Sequence, residues 1–416
     1  MFVINEEDQK VPIFICLENI DQLEEDCLKQ AINLSKLPFA FRNIFLASDT
    51  HMGYGCPIGG VFATESVIIP NAVGVDISCG MGFIETNIPA SILHEVDTPN
   101  GKLKNVIIGE LLRNIPTGFA RHNDPQSSDI LDKMRSYGET IEGKHDLLKH
   151  TVLVPELQAG YYQIGSLGGG NHFLEIQEDE NSMVGIMVHS GSRNFGYKIC
   201  KYFNEKAKLL NKTWYTSIPE SYDLAFLPTS SQEGMDYIGW MHIAMEFAKE
   251  NRYHMMKVCK NVVERLVSKF SSHKVEVLNE INVHHNYAAL ENHGGKNVWV
   301  HRKGAIRVRE GEIGIIPGAM GSYSYIVKGL GYDKSFNSCS HGAGRKMSRK
   351  KAKDAFSVQS VIEELKNDGV VIGKSNKDDI GEECKHAYKD IDFVIEQQKH
   401  IIEPIKKLKT IGVIKG

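Results

Sequence analysis

The sequence predicts an α+β fold built on mixed sheets. Amphipathic helical periodicity is confined to a few stretches, and the chain between them is cut into short apolar runs by glycines or polar turns. Composition agrees: 42% hydrophobic and 24% charged residues is a globular balance, with no internal repeat to suggest a stacked array.

Residues 21–35 read as the first helix. Asp21 and Glu24 have capping-box spacing, and Leu23, Cys27, Leu28, Ala31 and Ile32 fall on one face. After Pro38 the runs at 44–47, 61–63 and 67–69 look like strands joined by tight turns. A second long helix is expected over 236–266, then strands at 275–278, 298–300 and 313–316. Residues 390–408 look helical with a break at Pro404, and the closing IGVIKG reads as a strand end. Loops or breaks are expected at 121–128 and 227–234. Neither is rich enough in Pro, Gly or Ser to be a linker, so residues 1–416 are expected to form a single domain.

Several classes are excluded or disfavoured. No run of 18 apolar residues occurs, which argues against a transmembrane helix. The start, MFVINEEDQK, lacks a secretory signal pattern, so the chain reads as cytoplasmic. Eight cysteines without CxxC pairs argue against a disulfide framework. A net charge of -4 gives no overall basic signature, although a local basic face is compatible with it.

Five clusters concentrate chemistry: SDTHMGYG (48–55), VGVDISCGM (73–81), GGGNHFLE (168–175) with VHSGSR (188–193), INVHHNYA (281–288) and CSHGAGR (339–345). Asp76, Cys79, His172, His189 and His285 supply carboxylate, thiolate and imidazole, all ligands for first-row divalent metals. Any one of them alone would more often be structural; five in such clusters favour a metal site. Ligand softness alone points to zinc or cobalt, because a thiolate suits soft metals. Behind His341, the glycines and Arg345, Lys346, Arg349, Lys350, Lys351 and Lys353 suit a polyphosphate or an RNA backbone. Two matches are discounted. GVVIGKS (369–375) is one residue short of a Walker A loop, and KNDG (366–369), the short lysine-ligase motif, sits at a helix end where Asn-Asp-Gly is turn chemistry.

In order, VGVDISCGM, GGGNHFLE, VHSGSR, NxHHNY, IIPGAMGSYS, CSHGAGRxMSR and the terminal VIKG resemble the RtcB family of RNA ligases, from about Asp21 to Gly416. The resemblance implies one α+β fold around a metal-lined cleft, and an enzyme that uses GTP and two Mn2+ per active site. Such an enzyme joins RNA 3′-phosphate or 2′,3′-cyclic phosphate ends to 5′-hydroxyl ends, in RNA repair or tRNA splicing. By motif, His341 matches the residue that becomes guanylylated. Asp76, Cys79, His172, His189 and His285 match the metal ligands, Cys79 bridging both metals, with His284 a less certain member. Guanylate contacts carry over to Asn171, His172, Phe173, Leu174, Glu175, His285, Asn286, Pro317, Gly318, Ala319, Met320, Ser324, His341, Gly342, Ala343, Gly344, Tyr388 and Lys415. Arg193, Lys303 and Arg345 match cations expected near phosphates. An archease-type activator is a further implied partner. One departure stands at Ser48-Asp49-Thr50-His51, where the family often has Pro before Asp-x-His. Two rival readings use the same residues: a metal-dependent phosphoesterase that opens cyclic phosphate ends without a nucleotide, and an RNA-end-sensing protein with a degenerate site.

Overall fold

Parallel strands need a crossover, and the first helix supplies one. Ile13–Ile15 lies parallel to Ala40–His51, Ile13 opposite Ile44, and the helix Glu25–Ser35 bridges them by burying Cys27, Ala31 and Leu34. The computed structural model describes residues 1–137, 147–373 and 380–416. This crossover belongs to a six-stranded sheet in the order Phe2–Ile4, Ile13–Ile15, Ala40–His51, Ile58–Thr64, Lys296–Lys303, Asn286–His293.

The second sheet has eight strands. Its antiparallel path runs Val277–His284, Gly80–Pro89, Met183–Ser190, Phe173–Asp179, Ile402–Lys415, Tyr323–Gly329, Ile313–Ile316. Val371–Gly373 adds in parallel beside Gly412, Val413 and Ile414. Alternation along the strands gives this sheet two apolar faces. On one, Ile84, Ile88, Ile186 and Val188 pack against Met255, Met256, Val262 and Val263 of the 40-residue helix Gln232–Ser271. On the other, Met81, Phe83, Met187 and Val413 pack with Val361 and Leu365 of the helix Val358–Asn367. The fold is therefore α+β with mixed sheets, as the sequence predicts.

The two sheets are joined by one residue. Val277–His284 ends in the eight-stranded sheet, Asn286–His293 begins in the six-stranded one, and His285 is the link. Its N–H donates to the Cys79 carbonyl (2.9 Å) and its carbonyl accepts from Ala305 N–H (3.1 Å).

Several expectations need correction. The first helix begins at Glu25, not Asp21; a 3-10 turn at Ile20–Gln22 precedes it, and no capping box forms. The Glu24 carboxylate instead accepts from Met52 N–H (3.0 Å), pinning the loop after Ala40–His51. Residues 390–408 are not one helix: Ile391–Gln397 is helical, and Ile402–Lys415 is a strand central to its sheet. The Gln398 side chain leaves the helical course to bond Ser340, and Pro404 is tolerated because the pairing slips by one residue beside it, between Ile326 and Val327. The break expected at 227–234 holds a short strand, Leu227–Pro228, and the start of the long helix, capped by Ser231. The strand expected at 275–278 begins at Val277 and runs on to His284. Asn367 ends its helix and Gly369 has φ +78°, so KNDG is a helix-terminating turn. Val371–Gly373 places the middle of GVVIGKS in a strand; Lys374 and Ser375 lie outside the described residues. The loop at 121–128 is as expected. All eight cysteines are free and buried.

Candidate active site

The metal-ligand candidates sit at strand ends. The turn after Val73 carries Asp76 and enters the strand Gly80–Pro89 through Cys79, with Ser78 at φ +58°. His189 lies near the end of Met183–Ser190, opposite Met81, and His172 precedes Phe173–Asp179. His285 arrives from the joint between the sheets. The structure brings all five together. Cys79, His189 and His285 form one group and Asp76, Cys79 and His172 another, with the ligand atoms of each group within 4.8 Å of one another. The Cys79 sulfur belongs to both.

The distances are close to contact. Cys79 Sγ lies 3.3 Å from His172 Nε2 and 3.2 Å from His189 Nε2. His172 Nε2 lies 2.9 Å from Asp76 Oδ2, while its Nδ1 donates to the Leu167 carbonyl (2.9 Å), which orients the ring. Nε2 of His189 and Nε2 of His285 face each other at 3.4 Å. At that separation one ring can donate its N–H to the other, or both can offer lone pairs to one cation. Burial, reinforced by neighbouring histidines, holds the protonation of both rings well below the ordinary range. With both rings neutral, their Nε2 atoms are available to a metal cation. Burial also pushes the Cys79 thiol up, and Asp76 adds to this, so cation binding has to displace its proton. Burial would raise the Asp76 carboxyl too, but His172, Cys79 and Arg193 around it together outweigh burial and keep Asp76 below the usual range.

The long helix supports this cluster from beneath. Arg252, fully buried, donates to the carbonyls of Ser78 (2.8 Å) and Ser190 (3.0 Å). Asn251 donates to the Gly191 carbonyl (3.0 Å) and accepts from Gly165 N–H (2.7 Å). Gly191 is required: a Cβ there would meet Asp76 Oδ1 at 2.2 Å.

His341 lies beside the cluster. Its strand, Ser338–Ser340, pairs with Ala305–Arg307, whose first N–H is bonded to His285, and the His285 and His341 rings are 4.7 Å apart. His341 Nδ1–H donates to the fully buried Asp49 carboxylate (2.7 Å), and His341 N–H donates to the same oxygen (3.1 Å). That fixes the tautomer and leaves Nε2 with its lone pair, the arrangement of an oriented nucleophile. Gly344, at φ +71°, lets its loop pass so close to Asp49 that a Cβ would meet the Asp49 carbonyl at 2.1 Å.

His341 borders a cleft of ≈ 340 Å³ whose walls include Asn171, Phe173, His189, Pro317, Gly318, Ala319, Met320, Gly342, Ala343, Gly344, Tyr388 and Lys415. Other residues named for guanylate do not form these walls. Leu174 packs into the core, and Ser324 is buried, accepting from Gly318 N–H (3.3 Å). Glu175 is buried, accepting from Gln177 (2.7 Å) and Thr410 (2.9 Å), and burial lifts its carboxyl to about 7. Asn286 ties the turn together, donating to the Asp76 carbonyl (3.1 Å) and accepting from Gly304 N–H (2.8 Å).

The three cations named for phosphate are engaged by the protein. Arg193 donates to Ser166 and the Gly118 carbonyl, Lys303 to the Tyr54 and Asn71 carbonyls, and Arg345 to Tyr388, Glu383 and the Glu382 carbonyl. Lys350 and Lys351 stand exposed on the helix Arg349–Ala355. His284 is a neighbour only: its ring packs on Tyr287, and burial depresses its protonation to about 3.

Sequence reasoning missed three residues of this site. Asp49 lay in a flagged cluster, and its Asp-x-His spacing was the signal. His51 lines the cleft with Nδ1–H donated to the Asp49 carbonyl (3.0 Å). Glu383, in a polar stretch with no distinguishing pattern, bonds Lys415 (3.0 Å) and Tyr388 (2.8 Å) in the cleft wall.

Comparison with known proteins decides the lineage. The family model described as tRNA-splicing ligase RtcB matches residues 30–416. The chain belongs to the RtcB family. It is 37% identical to the RNA-splicing ligase RtcB of Escherichia coli (strain K12), covering 95% of each chain. It is 31% identical to the tRNA-splicing ligase RtcB of Nanoarchaeum equitans (strain Kin4-M), over 98% of this chain and 95% of that one. To the RNA-splicing ligase RtcB of Mycobacterium bovis it is 30% identical, over 93% of this chain and all of the other. Membership of the RtcB family makes this an RNA ligase with a candidate metal centre. Among the described residues, no helix is long and apolar enough to cross a membrane.

Proposed function

We propose that this chain is a GTP-dependent ligase that joins RNA 3′-phosphate or 2′,3′-cyclic phosphate ends to 5′-hydroxyl ends through guanylate carried on His341. The observation that carries this reading is the imidazole of His341, oriented by buried Asp49, bordering a cleft and 4.7 Å from a metal-ligand candidate. A phosphoesterase acting on cyclic ends has no use for such a histidine.

His341 Nε2 attacks the α-phosphorus of GTP; a P–N bond forms and pyrophosphate leaves. Asp49 keeps the Nδ1 proton and stabilises the positive charge that develops on the ring. An oxygen of the RNA 3′-phosphate then displaces His341 from that phosphorus, leaving the RNA end activated as an anhydride with GMP. The 5′-hydroxyl attacks the RNA phosphorus, a phosphodiester forms and GMP departs. A cyclic end is first opened by water. Two Mn2+, held by Asp76, Cys79, His172, His189 and His285 with Cys79 shared, would neutralise the phosphates and polarise their oxygens. Pro317, Gly318, Ala319, Met320, Gly342, Ala343, Gly344, Tyr388 and Lys415 frame the guanylate, with Ser324 bonded to Gly318 and Glu175 linked to Ser324 through Gln177. The chain folds as a single ligase domain, acts in RNA repair or tRNA splicing, and takes an archease-type protein as activator.

Incubation with α-labelled GTP and Mn2+ tests this. The protein should gain acid-labile, alkali-stable label that His341→Ala abolishes and Lys366→Ala leaves intact. Opening of cyclic ends with no label on the protein would establish the phosphoesterase instead.

A further inference from the structure

A second cleft shares no wall residue with the guanylate cleft. It is lined by Phe119, Arg121, Arg193 and Tyr197. Phe119 is 107% exposed, as bare as in an extended peptide, and Tyr197 is 42% exposed. A bare phenylalanine on a flexible tip would mean little. Here the tip is anchored: Ala120 N–H donates to the Thr117 carbonyl (3.0 Å), Gly118 N–H to the Gly168 carbonyl (2.9 Å), and Arg193 to the Gly118 carbonyl (2.8 Å). Tyr197 lies one turn along the helix Arg193–Thr213 from Arg193, hence on the same face. The Arg121 guanidinium lies 5.9 Å from the Tyr162 ring. Arg193 in its wall directly follows buried Ser192, whose N–H donates to Asp76 Oδ1 (3.0 Å), so the cleft and the metal cluster are one residue apart along the chain. Exposed aromatic side chains on an anchored backbone beside guanidinium groups are the composition of a single-strand stacking platform.

We propose that this cleft holds unpaired nucleotides of the RNA end, Phe119 and Tyr197 stacking bases while Arg121 faces the backbone and Arg193 holds the tip in place. The proposal rests on the ligase reading and assigns that reading its RNA subsite. It explains why an apolar ring stays in water beside a catalytic cluster: the occupant buries it. Neither aromatic borders the guanylate cleft, so nucleotide transfer to His341 should not need them.

The test uses the Mn2+-loaded full chain and RNA oligonucleotides carrying 2-aminopurine in the last nucleotides of either the 3′-phosphate or the 5′-hydroxyl end. Fluorescence quenching is measured without GTP, and His341 labelling is measured separately. Quenching at one end should appear in the unaltered protein. Phe119→Ala or Tyr197→Ala should each weaken RNA binding roughly tenfold, the double variant should weaken it further, and labelling of His341 should persist. Phe119→Trp should retain binding. Unchanged affinity and quenching in a folded double variant would overturn the platform. Absence of label on unaltered protein would count against the ligase reading alone, because quenching is read without nucleotide.

Discussion

The Asp49–His341 pair separates two jobs that one histidine cannot do alone, holding a proton on Nδ1 and offering a lone pair on Nε2. Asp49→Asn keeps the shape but can present an N–H to Nδ1, which favours the wrong tautomer. Guanylylation should fall by at least about 100-fold with bound metal unchanged; quench-flow labelling and metal analysis on one preparation check both. Glu175 gives a prediction in the pH domain. Its carboxyl, ordinarily near 4.5, is raised to about 7 by burial. Between those values the folded state binds the extra proton, so stability from this group falls as pH rises through the window and is level above it, by about 3 kcal/mol in all. Glu175→Gln preserves an oxygen acceptor for Gln177 and Thr410, and urea titrations from pH 5 to pH 7.5 should show a flatter dependence than the parent. An equal slope in both would place the proton elsewhere.

At the scale of elements, the basic helix Arg349–Ala355 begins beside the cleft but points Lys350 and Lys351 into solvent. Neutralising both, as Lys350→Gln with Lys351→Gln, should weaken RNA joining several-fold with little change in His341 labelling. The salt dependence of RNA binding should become shallower, by roughly one to two units of slope. Elements were legible where one local signal ruled. The long helix showed its apolar stripe, and Ile313–Ile316 fell at the expected residues. Legibility failed where tertiary partners overrode local pattern. Ile401, Ile402, Ile405 and Leu408 can be threaded on a helical period, yet Tyr323–Gly329 pairs along one edge of that segment and Phe173–Asp179 takes the other edge from Leu408 onward. Glu24 looked like a capping residue and serves a loop 28 residues away.

Across the whole molecule, the five metal-ligand candidates come from segments spread over more than 200 positions, so a bound cation ties distant parts of the chain to one point. Mn2+ at a hundredfold its Kd should stabilise the fold by about 2.7 kcal/mol per site, raising Tm by a few degrees. Cys79→Ala should erase that rise and the bound metal together, since its sulfur belongs to both groups. Calorimetry with and without Mn2+ decides this. Chemistry-bearing side chains beside glycines made four of these candidates visible in sequence, and the paired histidines of INVHHNYA the fifth. Their convergence was not visible, nor were Arg252 and Asn251, which lie within an unremarkable helical stripe and brace the cluster by bonding backbone carbonyls.

The single-residue joint at His285 sets a limit on how this chain can vary in length. Elsewhere, as in the loop spanning 121–128, added residues can bulge outward without altering what they connect. Between His284 and Asn286 there is no slack: one inserted residue would reverse the inward and outward faces of a whole strand relative to its neighbour sheet. Insertions and deletions should thus be tolerated across much of the surface and forbidden at this spot, for reasons of pleat parity as much as of chemistry.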